Sequence, residues 1–136
     1  VDACAMNLIR APHEFDVIVT TNLFGDILSD ESSQVVGGLG MAPAANLGDN
    51  FGLFEPVHGA AFDIAGKQIA NPSSFILSTK MMLDWLGSKN NDPDCISVGK
   101  KLEDVVLDLI KSGITTKDIG GKKSTQEFTS EIISRL

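Results

Sequence analysis

Tyrosine is absent from the chain, and arginine nearly so, with Arg10 and Arg135 alone. Enzymes that bind di- or tricarboxylates grip them with several arginines, because the planar guanidinium matches a carboxylate bidentately. If the chain serves such an enzyme, that clamp lies outside these 136 residues. Cys4 and Cys95 have no metal-binding spacing and read as two buried, reduced thiols of a cytoplasmic protein. No apolar run approaches the ~20 residues of a membrane-spanning helix. Basic residues are few, 11 against 18 acidic ones, for a net charge of −7. That balance argues against nucleic acid or an anionic membrane as partner. Neither the Walker loop nor the GxGxxG fingerprint occurs, so the two common phosphate cradles are excluded. There is no secretory leader, no repeat and no low-complexity tract. The chain also lacks an initiator Met and opens on a helical pattern. It reads as a fragment, and its start says nothing about targeting.

What is present gathers around residues 15–30. Phe15-Asp16-Val17-Ile18-Val19-Thr20-Thr21 is short, apolar and β-branched, and predicts a buried strand. It runs into Asn22 and a predicted helix over about 23–35. Strand, polar turn and helix form an α/β signature, and ligands gather at such strand ends. The helix carries Asp26 and Asp30 at i and i+4, on one face. Most such acid pairs are solvated. Here Ile27 and Leu28 lie between the acids and Gly37-Gly38-Leu39-Gly40 follows, a setting unlike an open polar face. Paired carboxylates of this kind suit Mg²⁺ or Mn²⁺.

The flanking chain supplies further elements. Residues 1–10 predict a helix with Val1, Cys4, Ala5 and Leu8 on one stripe, ended by Ala11-Pro12. Residues 37–66, rich in Gly, Ala, Pro and Asn, break the helical pattern. They place a hinge near Gly37-Gly38 and leave room for short extended pieces at 44–47 and 52–55. The run from Glu55 to Gly66 has small residues that let a ligand approach the backbone closely. Asn71-Pro72 predicts a helix start and Gly87 its stop. A polar loop at 88–94 leads to a helix over about 95–112. Ser124 and Glu127 make a capping box for a last helix with the stripe Phe128, Ile132, Ile133 and Leu136.

The ordered set of motifs is Asn22 to Asp30, Gly37-Gly38-Leu39-Gly40, Glu55-Pro56-Val57-His58-Gly59, Ile64-Ala65-Gly66-Lys67, Ala70-Asn71-Pro72, Met81-Met82-Leu83 and Asp118-Ile119-Gly120-Gly121. It resembles the isocitrate/3-isopropylmalate dehydrogenase family of metal-dependent β-decarboxylating dehydrogenases, over essentially the whole chain. The resemblance implies an α/β fold of two domains around a cleft, of which this chain is the C-terminal part. Residues 1–36 would finish the small, dimer-forming domain and 37–136 the large cofactor-binding one. Sheets would then be incomplete within the chain, with strand edges unpaired.

The same resemblance assigns roles. Asp26 and Asp30 would bind Mg²⁺ or Mn²⁺, joined by Asp2 from the partner subunit of a homodimer. His58, Gly59, Ala60, Ala61 and Ile64 would lie along the adenosine and phosphates of NAD, with Asn71 at the adenine. Asp63 would accept the ribose hydroxyls, and its charge would repel a 2′-phosphate, which favours NAD over NADP. Hydride would pass to NAD⁺ and the β-carboxylate would be lost, with the metal polarising the substrate oxygen. The Lys and Tyr that move protons in the family have no matching motif here, and Lys67, Lys80 and Lys117 are not candidates. Gly59-Ala60-Ala61-Phe62-Asp63, with phenylalanine where most relatives carry proline, resembles isopropylmalate dehydrogenases of archaeal type. The expected substrate is 3-isopropylmalate, as in leucine biosynthesis. The alternatives are isocitrate, homoisocitrate, or a non-catalytic regulatory subunit of such an enzyme.

Overall fold

Two of the five helices start on a side-chain cap in the computed structural model, which describes residues 1–136. The chain forms α1 (Asp2–Arg10), α2 (Asn22–Val35), β1 (Pro43–Leu47), β2 (Gly52–Pro56), α3 (Ser73–Asn90), α4 (Pro93–Lys111) and α5 (Thr125–Ile133). Three short 3-10 turns, Pro12–Glu14, Phe62–Ile64 and Lys117–Ile119, punctuate the connections. Asp92 caps α4 by accepting from the Asp94 and Cys95 amides, with Pro93 in the first turn. Ser124 and Glu127 form the reciprocal capping box of α5. No helix is long and apolar enough to cross a membrane.

Several boundaries differ from the expected ones for local reasons. The α3 helix begins at Ser73 because Pro72 (φ −84°, ψ −1°) sits outside the first turn. Pro72 and not Asn71 therefore takes the cap position, and Asn71 Oδ1 accepts from the Ser73 amide at 3.0 Å from one residue farther back. Gly87 does not stop α3, which runs to Asn90, and Asn91 takes the left-handed position instead (φ 53°, ψ 44°). Gly87 is buried where α4 begins. A Cβ there would come within 2.6 Å of Ile96 and 2.8 Å of the Asp92 carbonyl oxygen. The glycine is thus required by helix packing rather than by a turn. The start of α4 moves two residues earlier than periodicity suggests, since the polar Asp92-Pro93 pair is itself the cap.

The expected buried strand over 15–21 does not form. Its ends are extended, at Phe15 (φ −100°, ψ 123°) and Thr21 (φ −80°, ψ 165°). Yet no strand pairs with it, and Val17 and Val19 are 81% and 92% exposed. β-Branched residues favour a pleated surface only when a neighbour completes it. The one sheet is the antiparallel hairpin of β1 and β2, in register from Pro43 opposite Pro56 to Leu47 opposite Gly52.

The hairpin lies on α3, and α4 packs against the same helix, while α1 packs on α2. Two hydroxyls fasten hairpin to helix: Ser74 Oγ donates to the Ala42 carbonyl at 2.5 Å and Ser78 Oγ to that of Glu55 at 2.8 Å. Farther along α3, Trp85 meets Phe54 of β2 at 5.9 Å between ring centroids, tilted by 58°. Lys89 stands over the Trp85 ring at 4.6 Å and donates to the Asp49 carbonyl at 2.9 Å. Lys80 bridges the two long helices, 2.9 Å from Asp84 and 3.2 Å from Glu103. These contacts, Asp84 first, raise its pKa. Cys4 and Cys95 are free and half-buried, less enclosed than expected.

The core is small. Val106 and Leu109 of α4 and Phe128 and Ile132 of α5 are fully enclosed, with Ile76, Leu77 and Leu102 beside them. Ile133 and Leu136, expected on the same stripe, are 66% and 49% exposed because α5 offers α4 only one narrow face. Truncating Phe128 to Ala should cost about 3–5 kcal/mol, since its contacts cannot close over the void. A denaturant titration that moved by under ~1 kcal/mol would contradict this account of the core.

Three carboxylates are held below their ordinary pKa, each by hydrogen bonds that favour the ionised form. Asp92 is lowered from 3.8 mainly by the Cys95 amide, and Glu127 from 4.5 by the Ser124 amide. Glu131 is lowered from 4.5 by the Lys123 ammonium 2.9 Å away. A depressed carboxylate stabilises the fold above its unfolded pKa and loses that contribution as pH falls through the folded value. Unfolding midpoints should therefore hold between pH 6 and 5 and drop below about pH 4.5. Glu131→Gln should flatten part of that drop.

Candidate functional site

Beyond β2 the chain runs through residues 57–72 with no regular element but the Phe62–Ile64 turn. Only short-range bonds organise it from within. The Ile64 amide donates to Ala61, and the Lys67 amide to Ile64. Gly66 (φ 76°) and Gln68 (φ 56°) lie in the left-handed region, which turns the chain back toward α5. There Thr125 holds it twice, donating through its amide to the Gln68 carbonyl at 3.0 Å and through Oγ1 to that of Ala70 at 2.5 Å.

The folded-back loop encloses a cavity of about 510 Å³, open to solvent. His58, Gly59, Ala60, Ala61, Ile64 and Asn71 all line it, together with Gly40, Asp118 and Thr125 from distant parts of the chain. Asp63 belongs to the same loop but is exposed and not part of the lining. The lining contains no Lys or Arg, and Asp118 supplies its one carboxylate. Small residues and free backbone dominate the wall near Gly59, where a Cβ would meet nothing within 4 Å. His58 Nδ1 lies 3.0 Å from the Gly59 carbonyl oxygen. A carbonyl can only accept, so in this contact Nδ1 is the donor.

Asn71 is buried at the floor. Its Nδ2 donates to Asp118 Oδ2 at 3.0 Å and lies 3.6 Å from the Met41 sulfur, while Oδ1 accepts from the Ser73 amide. Asp118 Oδ1 accepts from Thr116 Oγ1 at 2.5 Å. Gly40 closes against this pair: a Cβ there would stand 2.9 Å from Asn71 Cβ and 3.2 Å from Asp118 Oδ2. Sequence reasoning gave no role to Gly40, Asp118 or Thr125. Asp118 reads in sequence only as part of the Asp118-Ile119-Gly120-Gly121 turn, and nothing local joins it to Asn71, 47 residues away.

The acidic pair lies elsewhere. Asp26 and Asp30 project from α2, both exposed, and no ion pair of the chain reaches either. Leu28 is buried, but Leu23 and Ile27 are 65% and 52% exposed, so this face is open within the chain, contrary to the sequence reading. Asp2, at the start of α1, is exposed and accepts from the Ala3 amide at 2.9 Å. The chain brings no three His, Cys, Asp or Glu side chains into one metal-sized group. Asp26 and Asp30 offer two hard oxygen ligands, the kind and number Mg²⁺ or Mn²⁺ takes from protein when substrate and water fill the remaining positions.

Comparison with known proteins puts residues 1–133 in the isocitrate/isopropylmalate dehydrogenase family. The chain belongs to this family. It is 53% identical over 133 residues to 3-isopropylmalate dehydrogenase of Saccharolobus solfataricus, and covers 97% of this chain and 40% of that protein. It is 52% identical over 136 residues to isocitrate/homoisocitrate dehydrogenase of Thermus thermophilus, all of this chain and 39% of that one. The fold matches the crystal structure of isocitrate dehydrogenase from Methylococcus capsulatus with a TM-score of 0.89, at 42% identity over 98% of this chain and 38% of that one. The chain thus spans about two fifths of the family members it matches, and its mixed α/β fold is that of the part it covers.

Because Gly40 abuts the Asn71–Asp118 pair, Gly40→Ala should push that pair apart. Overpacking of this kind costs about 1–3 kcal/mol. Thermal unfolding of the variant measures it, and an unchanged midpoint would show that the floor yields freely.

Proposed function

We propose that the protein containing this chain is an NAD-dependent β-decarboxylating dehydrogenase that oxidises a 3-substituted malate, 3-isopropylmalate first. The observation that carries the reading is the cavity at the start of α3. Its wall is small and uncharged apart from one acid, and the exposed Asp63 stands in the loop that forms it. Such a wall suits an uncharged nucleoside and offers no cation to a 2′-phosphate. Asp63 accepts the ribose hydroxyls and opposes the phosphate of NADP. His58, Gly59, Ala60, Ala61 and Ile64 follow the adenosine and its phosphates. The Asn71 amide is already engaged, so Asn71 meets the base through its main chain.

Asp26 and Asp30 hold Mg²⁺ or Mn²⁺, with Asp2 of a second subunit as third carboxylate. A bound divalent cation supplies Lewis-acid polarisation of a substrate oxygen. The chain's own part is to place those carboxylates on a rigid helix and to orient the dinucleotide. Proton transfer and carboxylate clamping fall to residues outside it. The exposed Leu23, Phe24 and Ile27 of α2 support a homodimer, as an apolar face that a second subunit covers. Retention of all three aspartates supports an enzyme over a regulatory subunit, which has no use for metal ligands.

The second reading, homoisocitrate or isocitrate as substrate, is favoured by nearly equal identity to both kinds of relative, 53% and 52%. A panel of 3-isopropylmalate, isocitrate and homoisocitrate on the full-length enzyme decides, and strong preference for isocitrate overturns the first choice. These 136 residues alone should reduce no NAD. In the intact enzyme, Asp26→Asn should weaken Mn²⁺ binding by calorimetry at least about tenfold, as losses in metal sites commonly do. Undiminished binding would remove Asp26 from the metal site.

A further inference from the structure

We propose that Asp118 is a positioning residue for the nucleotide, acting through Asn71. Its carboxylate fixes the stretch of wall against which the adenosine end of the cofactor rests. This rests on the dinucleotide reading of the cavity given above.

The loop over 57–72 is long and nearly bare of internal bonds, so its shape depends on outside anchors. Val57 is tied to Ala42 where the loop begins, Thr125 holds its far stretch, and Asp118 holds Asn71 at its end. The anchoring by Asp118 has a definite polarity. The Ser73 amide donates to Asn71 Oδ1, which fixes the side-chain amide in one orientation and turns its Nδ2 donors away from α3. A buried Nδ2 needs an acceptor, and an anion is the strongest available. Asp118 Oδ2 takes that position at 3.0 Å. Its other oxygen accepts from Thr116, itself fully buried, and these two bonds hold the otherwise exposed Asp118 side chain against the floor. Without Asp118 the Asn71 donors keep only the Met41 sulfur at 3.6 Å, a weak acceptor. Asn71 then re-orients, and the neighbouring wall at Ile69 and Ala70 moves with it. Nothing in this chain of contacts touches the reacting end of the cofactor. The effect therefore falls on nucleotide affinity and not on the chemical step.

The test uses the full-length enzyme, with KM for NAD, kcat and the unfolding midpoint read for each variant. Asp118→Ala should raise KM about tenfold, the order expected for one charged hydrogen bond, with kcat within about threefold. Asp118→Asn should recover most of the affinity. The new carboxamide oxygen accepts from Asn71, and the Thr116 hydroxyl reverses to accept from the new amide nitrogen. Asn71→Asp sets two carboxylates face to face and should raise KM. Combining Asn71→Asp with Asp118→Asn reverses the polarity of the bond and should restore it.

The proposal is overturned if Asp118→Ala leaves KM unchanged, if kcat falls while KM holds, or if Asp118→Asn is as damaging as Ala. It is also overturned if the double variant binds NAD no better than Asn71→Asp or does not fold. Should either damaging single variant fail to fold, the double variant decides alone, and a near wild-type KM supports the assignment. Wild-type enzyme that uses NADP and not NAD refutes the functional reading, and the variants are then judged on NADP. Wild-type enzyme that binds neither dinucleotide overturns both.

Discussion

One carboxamide, that of Asn71, ties the first residue of α3 to the turn that precedes α5. Its oxygen accepts from the Ser73 amide and its nitrogen holds Asp118, so the same buried group sets where the long helix begins and where the loop before α5 lies. A buried amide with an unmet donor loses roughly 1–3 kcal/mol, a sizeable fraction of the about 5–15 kcal/mol of a domain's net stability. The demand explains features that look unrelated in sequence. Gly40 is small because it abuts the pair. Thr116 is buried because its hydroxyl completes the carboxylate. The cavity beside them is a by-product of three segments brought together by hydrogen bonding more than by apolar packing, and the true apolar core lies between α4 and α5.

Short-range signals in the sequence are the ones the structure repeats. The capping box of α5, the two short extended pieces and the helical stretches depend on neighbours within a few positions, and these were legible. Errors arose where a distant partner decides. Gly87 reads as a helix stop, and only the approach of α4 shows why glycine is needed there. Residues 15–21 read as a strand because their side chains suit one, but a ladder requires a second strand that this chain does not supply.

The site divided in the same way. The loop from His58 to Ile64 was visible as a run of small residues, and the structure lines a cavity with most of it. Asp118 was invisible as a cavity residue, because its meaning comes from Asn71 far back in the chain. The spacing of Asp26 and Asp30 on one helix was legible, but the open face from which α2 presents them was not. Three carboxylates do not converge within the chain, and Asp2 of α1 and the pair on α2 stand apart as exposed groups.

The lone Trp85 has an optical consequence. With no tyrosine in the chain, near-ultraviolet emission comes from this single indole. It sits twelve residues beyond Ser73, about 18 Å along α3 from the cavity floor. Its surroundings are Phe54 of the hairpin and the Lys89 ammonium, not the nucleotide loop. Intrinsic fluorescence of these residues therefore reports whether the hairpin is seated on α3. Occupancy of the cavity at the other end of the helix would have to be followed by another signal.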